Sequence, residues 1–373
     1  MKIVKKVKIR LVNGEKIRKF YLLGIPVFQY THQNGKLKIE RCKRHKPKPG
    51  QRVFYLKIHR VHTTGFDCIQ HWIDVIARMD AFIYFVCDNK KMKEGVFKKP
   101  CFFYNEDFDF IKSDRKTLKK EVSLSLHEVE RQKLWHRIAY SMLTPFVHAA
   151  KHSYDRTYNI DADDIMILTK PELIAEALKK AEFYAEENDL DCFNFDMFVS
   201  KSFGVHWSFG IVYVRHPQKC LDIIKKNTGW RYNEYLIEKY STKYVNEYNF
   251  NVDWLFTFLR DTKQLKLKTF YIENSMVIHM PDIALSRHWA FVLKWHSGIV
   301  YLPVLDMLYD EKIWRYIPVY KECVKIDIGL EDKAVSDFLN EFYSTTYEFE
   351  NDILNIARTR KLISEKMYQK YKK

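Results

Sequence analysis

Glycine and proline are scarce, at 11 and 10 of 373 residues. That excludes collagen-like and low-complexity architectures, and no internal repeat is visible. The seven cysteines are scattered, odd in number and never spaced as a CxxC pair. Zinc ribbons and disulfide frameworks are therefore not expected, and a reducing, cytoplasmic compartment fits best. Long apolar runs are also missing. The best candidate, "WAFVLKWHSGIVYLPVLDMLY", is broken by Lys294, His296 and Asp306, whereas a membrane span needs about 20 mostly apolar residues. The opening "MKIVKKVKIR" is basic, but no apolar stretch follows it as a secretory signal requires.

What is present is apolar and aromatic. Hydrophobic residues make up 47% of the chain and aromatics 16%, enough for a large core and too much for disorder. The net charge of +16 is unevenly placed. Residues 1–60 hold 18 Lys or Arg against Glu15 and Glu40, which accounts for the whole excess. The tail "RTRKLISEKMYQKYKK" is basic again, with seven cations against Glu365. Basic ends on a neutral body are drawn to an anionic surface or serve as solvated faces. In the tail, Ile353, Ile356, Ile363, Met367 and Tyr371 would line one face of a helix lying in an anionic lipid interface or packed on the body. The expected location is the cytoplasm, free or peripheral on the inner membrane.

Three regions are expected: a basic, β-rich segment at 1–51, an α/β catalytic domain at 52–300, and a helical extension with the basic tail at 301–373. "NG" pairs at Asn13-Gly14 and Asn34-Gly35 mark turns in the first. From residue 52, strands alternate with helices: "VFYLKIH", then a helix carrying Ile69, Ile73 and Ile76, then "AFIYFVCDN". A shorter strand in "FFYNEDFDFI" follows, then a helix from near Ser125 that Pro145 kinks or ends. Next come "RTYNIDAD" and a helix after a capping box of Thr169 and Glu172. This pattern predicts a Rossmann-like, mostly parallel sheet flanked by helices, with ligands at the carboxyl ends of its strands.

One such strand end stands out. "YNIDADDIMIL" puts Asp161, Asp163 and Asp164 within four positions between apolar stretches. Buried charges are costly unless they are paired or bind a metal. Asp-x-Asp also occurs at Asp107/Asp109, read as a half-wet edge strand, and at Asp189/Asp191, read as a solvated helix exit. At Asp161/Asp163 the choice lies between capping acids in a turn and a site for a hard divalent ion, Mn²⁺ or Mg²⁺, that also meets substrate phosphates.

In order along the chain, "FYLKIHR", "IYFVCDN", "IDADD", "HWSFGIVYVR" and "NVDWLFTFLRD" resemble glycosyltransferases of the GT-A fold with an Asp-x-Asp motif. More narrowly, they resemble those that build bacterial capsule or lipopolysaccharide. The resemblance covers roughly residues 52–290. It implies a nucleotide-sugar donor, a UDP-sugar, and a glycan or lipid-linked glycan acceptor. Asp161 and Asp163 would be the metal and ribose-phosphate residues, Asp163 the direct ligand. Asp88 and Arg60 would lie near the nucleotide. Asp253 is the expected base and Asp196 the next carboxylate in line. His206 and Trp207 would form an acceptor wall, and His279 would be a late metal ligand. The alternatives are an N-cap for Asp253, a core position for Trp207 and a structural histidine for His279. Asp253 as base and His279 as ligand imply opposite stereochemistry, which the sequence leaves open. Two rivals remain: a haloacid-dehalogenase-like phosphatase, and a non-catalytic nucleic-acid binder using the basic N-terminus. No nucleic-acid signature is present, so no nucleic-acid partner is expected.

Overall fold

The computed structural model describes residues 4–22, 25–33, 36–41, 45–58, 63–87, 101–113, 133–162, 164–167, 170–195, 199–200, 204–205, 207, 209–227, 235, 238, 252–272, 276–279, 324–328, 365 and 369. Strands β1 (Val4–Leu11), β2 (Lys16–Leu22), β3 (Ile25–Gln33) and β4 (Lys36–Arg41) form an antiparallel meander. Gly14 takes φ +85° at the first turn, where the Asn13 side chain accepts the Glu15 N–H at 3.0 Å. This is the turn that Asn-Gly favours. Gln33 pairs with Lys36 in register, and Asn34-Gly35 between them lie outside the described residues.

The main sheet begins with β5 (Arg52–Ile58), helix α1 (Thr63–Ile76) and β6 (Ala81–Cys87). Both strands are buried along almost their whole length, as continuous apolar runs in a helix-covered parallel sheet should be. The "FFYNEDFDFI" segment splits in two. β7 (Phe102–Phe103) adds to β1 in the meander, whereas β8 (Phe108–Lys112) forms one edge of the main sheet, as Asp109 alternating with Phe implied.

Helix α2 (Lys133–Lys151) carries Pro145 in its interior and continues past it. Its expected start near Ser125 lies outside the described residues. Then come β9 (Thr157–Asp161), β10 (Asp164–Ile167) and helix α3 (Pro171–Glu187). The capping box expected at Thr169 is not what opens α3. Lys170 is the N-cap, without a side-chain bond, and Pro171 starts the helix with its φ already helical. Glu172 instead meets the Arg78 guanidinium.

The remaining elements are β11 (Cys192–Phe195), the short pair β12 (Val199–Ser200) and β13 (Gly204–Val205), β14 (Ile211–Val214), helix α4 (Pro217–Lys226), helix α5 (Val252–Asp261), β15 (Leu267–Ile272), β16 (Met276–His279) and β17 (Val324–Ile326). The eight-stranded sheet runs β17-β15-β11-β14-β9-β5-β6-β8, and β14 alone is antiparallel to its neighbours. The fold is therefore the expected mostly parallel α/β sheet. β17 comes from the segment expected to be a helical extension. Its alternating "VKI" completes an edge of the main sheet, so the sheet reaches beyond residue 300. The helical tail face from Ile353 to Tyr371 lies outside the described residues.

One core lies between the sheet and α1 with α3, where Ile69, Ile73 and Ile76 are buried as the helical spacing implied. A second lies between the sheet and α2, α4 and α5, and a smaller third packs Val53, Tyr55, Phe82, Tyr84 and Val86 against Ala149 of α2. Among the described residues, no helix is long and apolar enough to cross a membrane. Asp189 is the solvated helix exit expected. Asp191 is not, since it is buried, paired with Lys219 at 2.6 Å, and accepts the Lys266 N–H at 2.9 Å.

The meander joins the body through its inner face. Ile9, Leu11 and Ile17 share the core of α1 and α3, and Lys19 reaches Glu106 at 2.5 Å beside His45 at 3.5 Å. Burial alone would raise the Glu106 pKa, but bonds to His45 and Lys19 outweigh it and hold the carboxyl at about 2, against an ordinary 4.5. A carboxyl depressed on folding stabilises the protein above its unfolded pKa, and that stability is lost as pH falls through the folded one. Acid titration from pH 5 to 2 should therefore cost about 3 kcal/mol from this group. In Glu106→Gln, urea unfolding followed over the same range should lose that portion of the slope.

Candidate functional site

Chain connectivity sets where a site can form. From β5 the chain moves outward to β6 and β8, then crosses back to β9 on the other side of β5. The strand order thus reverses between β5 and β9, and the crevice outside their carboxyl ends is where open α/β sheets bind ligands. β9 ends at Asp161. The carboxyl ends of β6, at Cys87, and β11, at Phe195, face the same rim, because both strands run parallel to β9.

Asp161 is nearly buried, and its partner is Lys57, in register beside it on β5. The lysine is 0% exposed, its Nζ 3.5 Å from Asp161 Oδ1 and 3.1 Å from the Phe209 carbonyl oxygen that it donates to. It also lies over the Phe209 ring, 5.8 Å from the centroid. The backbone fixes the same corner. Asp161 N–H donates to the Gly210 carbonyl at 2.8 Å, and Ala162 N–H to the Lys57 carbonyl at 3.1 Å. In the sequence Lys57 reads only as part of an apolar strand. The signal was there: one ammonium inside "VFYLKIH" cannot be buried without an acid to meet it.

Asp253 comes to the same corner. It stands in the first turn of α5, and its Oδ1 accepts the Phe209 N–H at 2.8 Å. Thr257 Oγ1 donates to the Asp253 carbonyl at 2.8 Å and accepts the Trp207 N–H at 2.9 Å. A single residue, Phe209, therefore links Asp253 through its N–H to the Lys57–Asp161 pair through its carbonyl. Trp207 is 0% exposed and its ring lies 6.1 Å from Phe256 in the second core. That is the core position left as its alternative, and the ring offers no open face to an acceptor.

β10 follows the acidic turn and pairs antiparallel with β16, Asp164 opposite His279. A residue more than a hundred positions away is thus brought into register beside the acidic cluster. Asp163, Asp88, Arg60, Asp196 and His206 lie outside the described residues, as do the side chains of Asp164 and His279. Among the described residues there is no group of three or more metal-ligating side chains. The residue types at these register positions, aspartate and histidine, are among those that bind a hard or borderline divalent ion.

No family model matches the sequence, and no curated protein matches it. Several solved structures share weak similarity. Mouse xyloside xylosyltransferase 1, in its apo form, matches with a TM-score of 0.37 at 10% identity, over 59% of this chain and 84% of that one. A protein described as a nucleotide-diphospho-sugar transferase from Desulfovibrio desulfuricans gives 0.30 at 12% identity, over 59% and 78%. A CMP:2-keto-3-deoxy-manno-octonic acid synthetase complexed with CTP gives 0.30 at 10%, over 59% and 88%. Likeness this weak carries no functional argument.

Lys57→Met would leave the Asp161 carboxylate buried without its cation. It should destabilise the fold by about 3–5 kcal/mol, read by urea unfolding, and adding Asp161→Asn should recover part of that loss. Equal stability of Lys57→Met and the parent would mean that the pair is not closed in solution.

Proposed function

We propose that this chain is a metal-dependent glycosyltransferase that moves a sugar from a nucleotide donor, a UDP-sugar, to a growing bacterial surface polysaccharide. The observation that carries the reading is the acidic end of β9 at the reversal of strand order, tied down by Lys57. Of the rivals, an aspartyl phosphatase of the haloacid-dehalogenase type would open its domain with the acidic strand. Here β5, β6 and β8 of the same sheet precede it.

In this reading Lys57 orients Asp161. Asp161, Asp163 and His279 hold Mn²⁺ or Mg²⁺, Asp163 most directly. Bound there, such an ion would supply positive charge for a diphosphate leaving group. Asp88 and Arg60 contact the nucleotide. His206 lies on the acceptor side. Asp253 takes the proton of the acceptor hydroxyl if the reaction inverts, with Asp196 the next carboxylate in line. A base must stand within hydrogen-bond reach of that proton, and Asp253 is already fixed at the same corner as Asp161 through Phe209.

A panel of nucleotide sugars with Mn²⁺ tests this. One donor should be turned over in a metal-dependent way, and Asp163→Ala should reduce that turnover by about a hundredfold or more while leaving the circular dichroism spectrum intact. Full turnover in the variant would remove the site. The anomeric configuration of the product, read by NMR, assigns Asp253: an inverted product keeps it as base, a retained one excludes it from that role.

A further inference from the structure

The outer face of the meander has no counterpart in the strand-end chemistry. Register puts Lys8 opposite Arg18 and Arg10 opposite Lys16, four cations on adjacent positions of β1 and β2. Like charges directly opposite one another destabilise a sheet. Among the described residues no carboxylate lies within ion-pair distance of Lys8, Arg10 or Lys16. Glu40, the acid of β4, is in register with inward-facing Gln29 and pairs with Lys38 at 2.6 Å. The same outer face continues over β3 and β4 with apolar groups. Phe28 is 41% exposed, Leu37 54% and Ile39 65%. Strand spacing makes the face about 15 by 20 Å.

We propose that this face docks the protein on an anionic phospholipid surface, the cations meeting headgroups and Leu37 and Ile39 entering the headgroup–acyl boundary. Charge complementarity by itself would also admit single-stranded nucleic acid, but the rings argue against it. Base binding needs open ring faces. Phe20 and Phe28 stack on each other at 4.5 Å and 15°, and the Arg18 guanidinium sits 5.2 Å over the Tyr30 ring. The most exposed apolar groups are instead aliphatic, on the outermost strand. They suit acyl chains and offer bases nothing to stack on. The inference stands apart from the glycosyltransferase reading, since it uses no residue of the β5/β9 corner.

Flotation of the full-length protein with phosphatidylcholine vesicles, with and without phosphatidylglycerol, tests it. The protein should float with the anionic vesicles only. Lys8→Ala/Lys16→Ala should weaken that partition about thirty-fold, since each cation near the surface contributes about 1 kcal/mol. Leu37→Ser/Ile39→Ser should weaken it about tenfold or more. All four positions are solvent-facing, and unchanged circular dichroism confirms folding. Equal flotation with neutral vesicles, no flotation, or binding that survives both double variants would overturn the proposal. So would loss only on removing Lys366 and Lys370, or retention of a single-stranded oligonucleotide by a protein that ignores vesicles.

Discussion

Burying a lysine away from water is costly unless an acid meets it, and the Lys57–Asp161 pair is the constraint from which the strand-end corner follows. Lys57 ties together three pieces of backbone: its own strand β5, the end of β9 through Asp161, and the Phe209 segment that leads into β14. Desolvating both ions costs several kcal/mol, and their attraction offsets this only when geometry and added hydrogen bonds are good. The Phe209 carbonyl supplies such a bond to the ammonium. A buried pair of this kind is weak evidence for stability and better evidence for a fixed geometry, which a binding corner needs.

The sheet topology makes that geometry useful. Where the strand order reverses, the chain leaves β5 toward β6 and leaves β9 toward β11, in opposite directions along the sheet, and the crevice lies outside the carboxyl ends of the two strands. The antiparallel β14 returns its amino end to the same rim, bringing Phe209 and Gly210 against Asp161. Helix α5 then docks by its first turn, because the Asp253 carboxylate finds the Phe209 N–H. A carboxylate there also faces favourably onto the helix dipole. β16 returns from far along the chain to lie against β10. Four separate stretches of sequence thus converge within a few residues of Asp161.

Much of this was legible in the sequence because it rests on local pattern. β5 and β6 are largely apolar runs, and α1 shows its buried stripe. The acids of β9 interrupt an apolar stretch and so declare a strand end. What stayed hidden depends on partners distant in sequence. Lys57 reads as one polar residue in a greasy strand until Asp161 is placed beside it. Asp191 looks like a solvated exit until Lys219 and the Lys266 amide close over it. Pro171 overrode a plausible capping box at Thr169, since a proline at the first helical position starts a helix without a side-chain cap. Three residues at β17 are too few to announce a strand on their own, and only the exposed edge of β15 recruits them. Trp207 shows the limit of composition: a tryptophan near a site serves as a wall or as core, and burial decides which.

The central claim is that the corner fixed by Lys57 presents acids to a divalent cation and a nucleotide diphosphate. A crystal grown with UDP and Mn²⁺, measured at the manganese absorption edge, tests it most directly. The account predicts one anomalous peak outside the carboxyl ends of β5 and β9, within about 2.6 Å of a carboxylate oxygen from residues 161–164 and next to the diphosphate. A nucleotide bound elsewhere, with those acids distant from any metal, would contradict it.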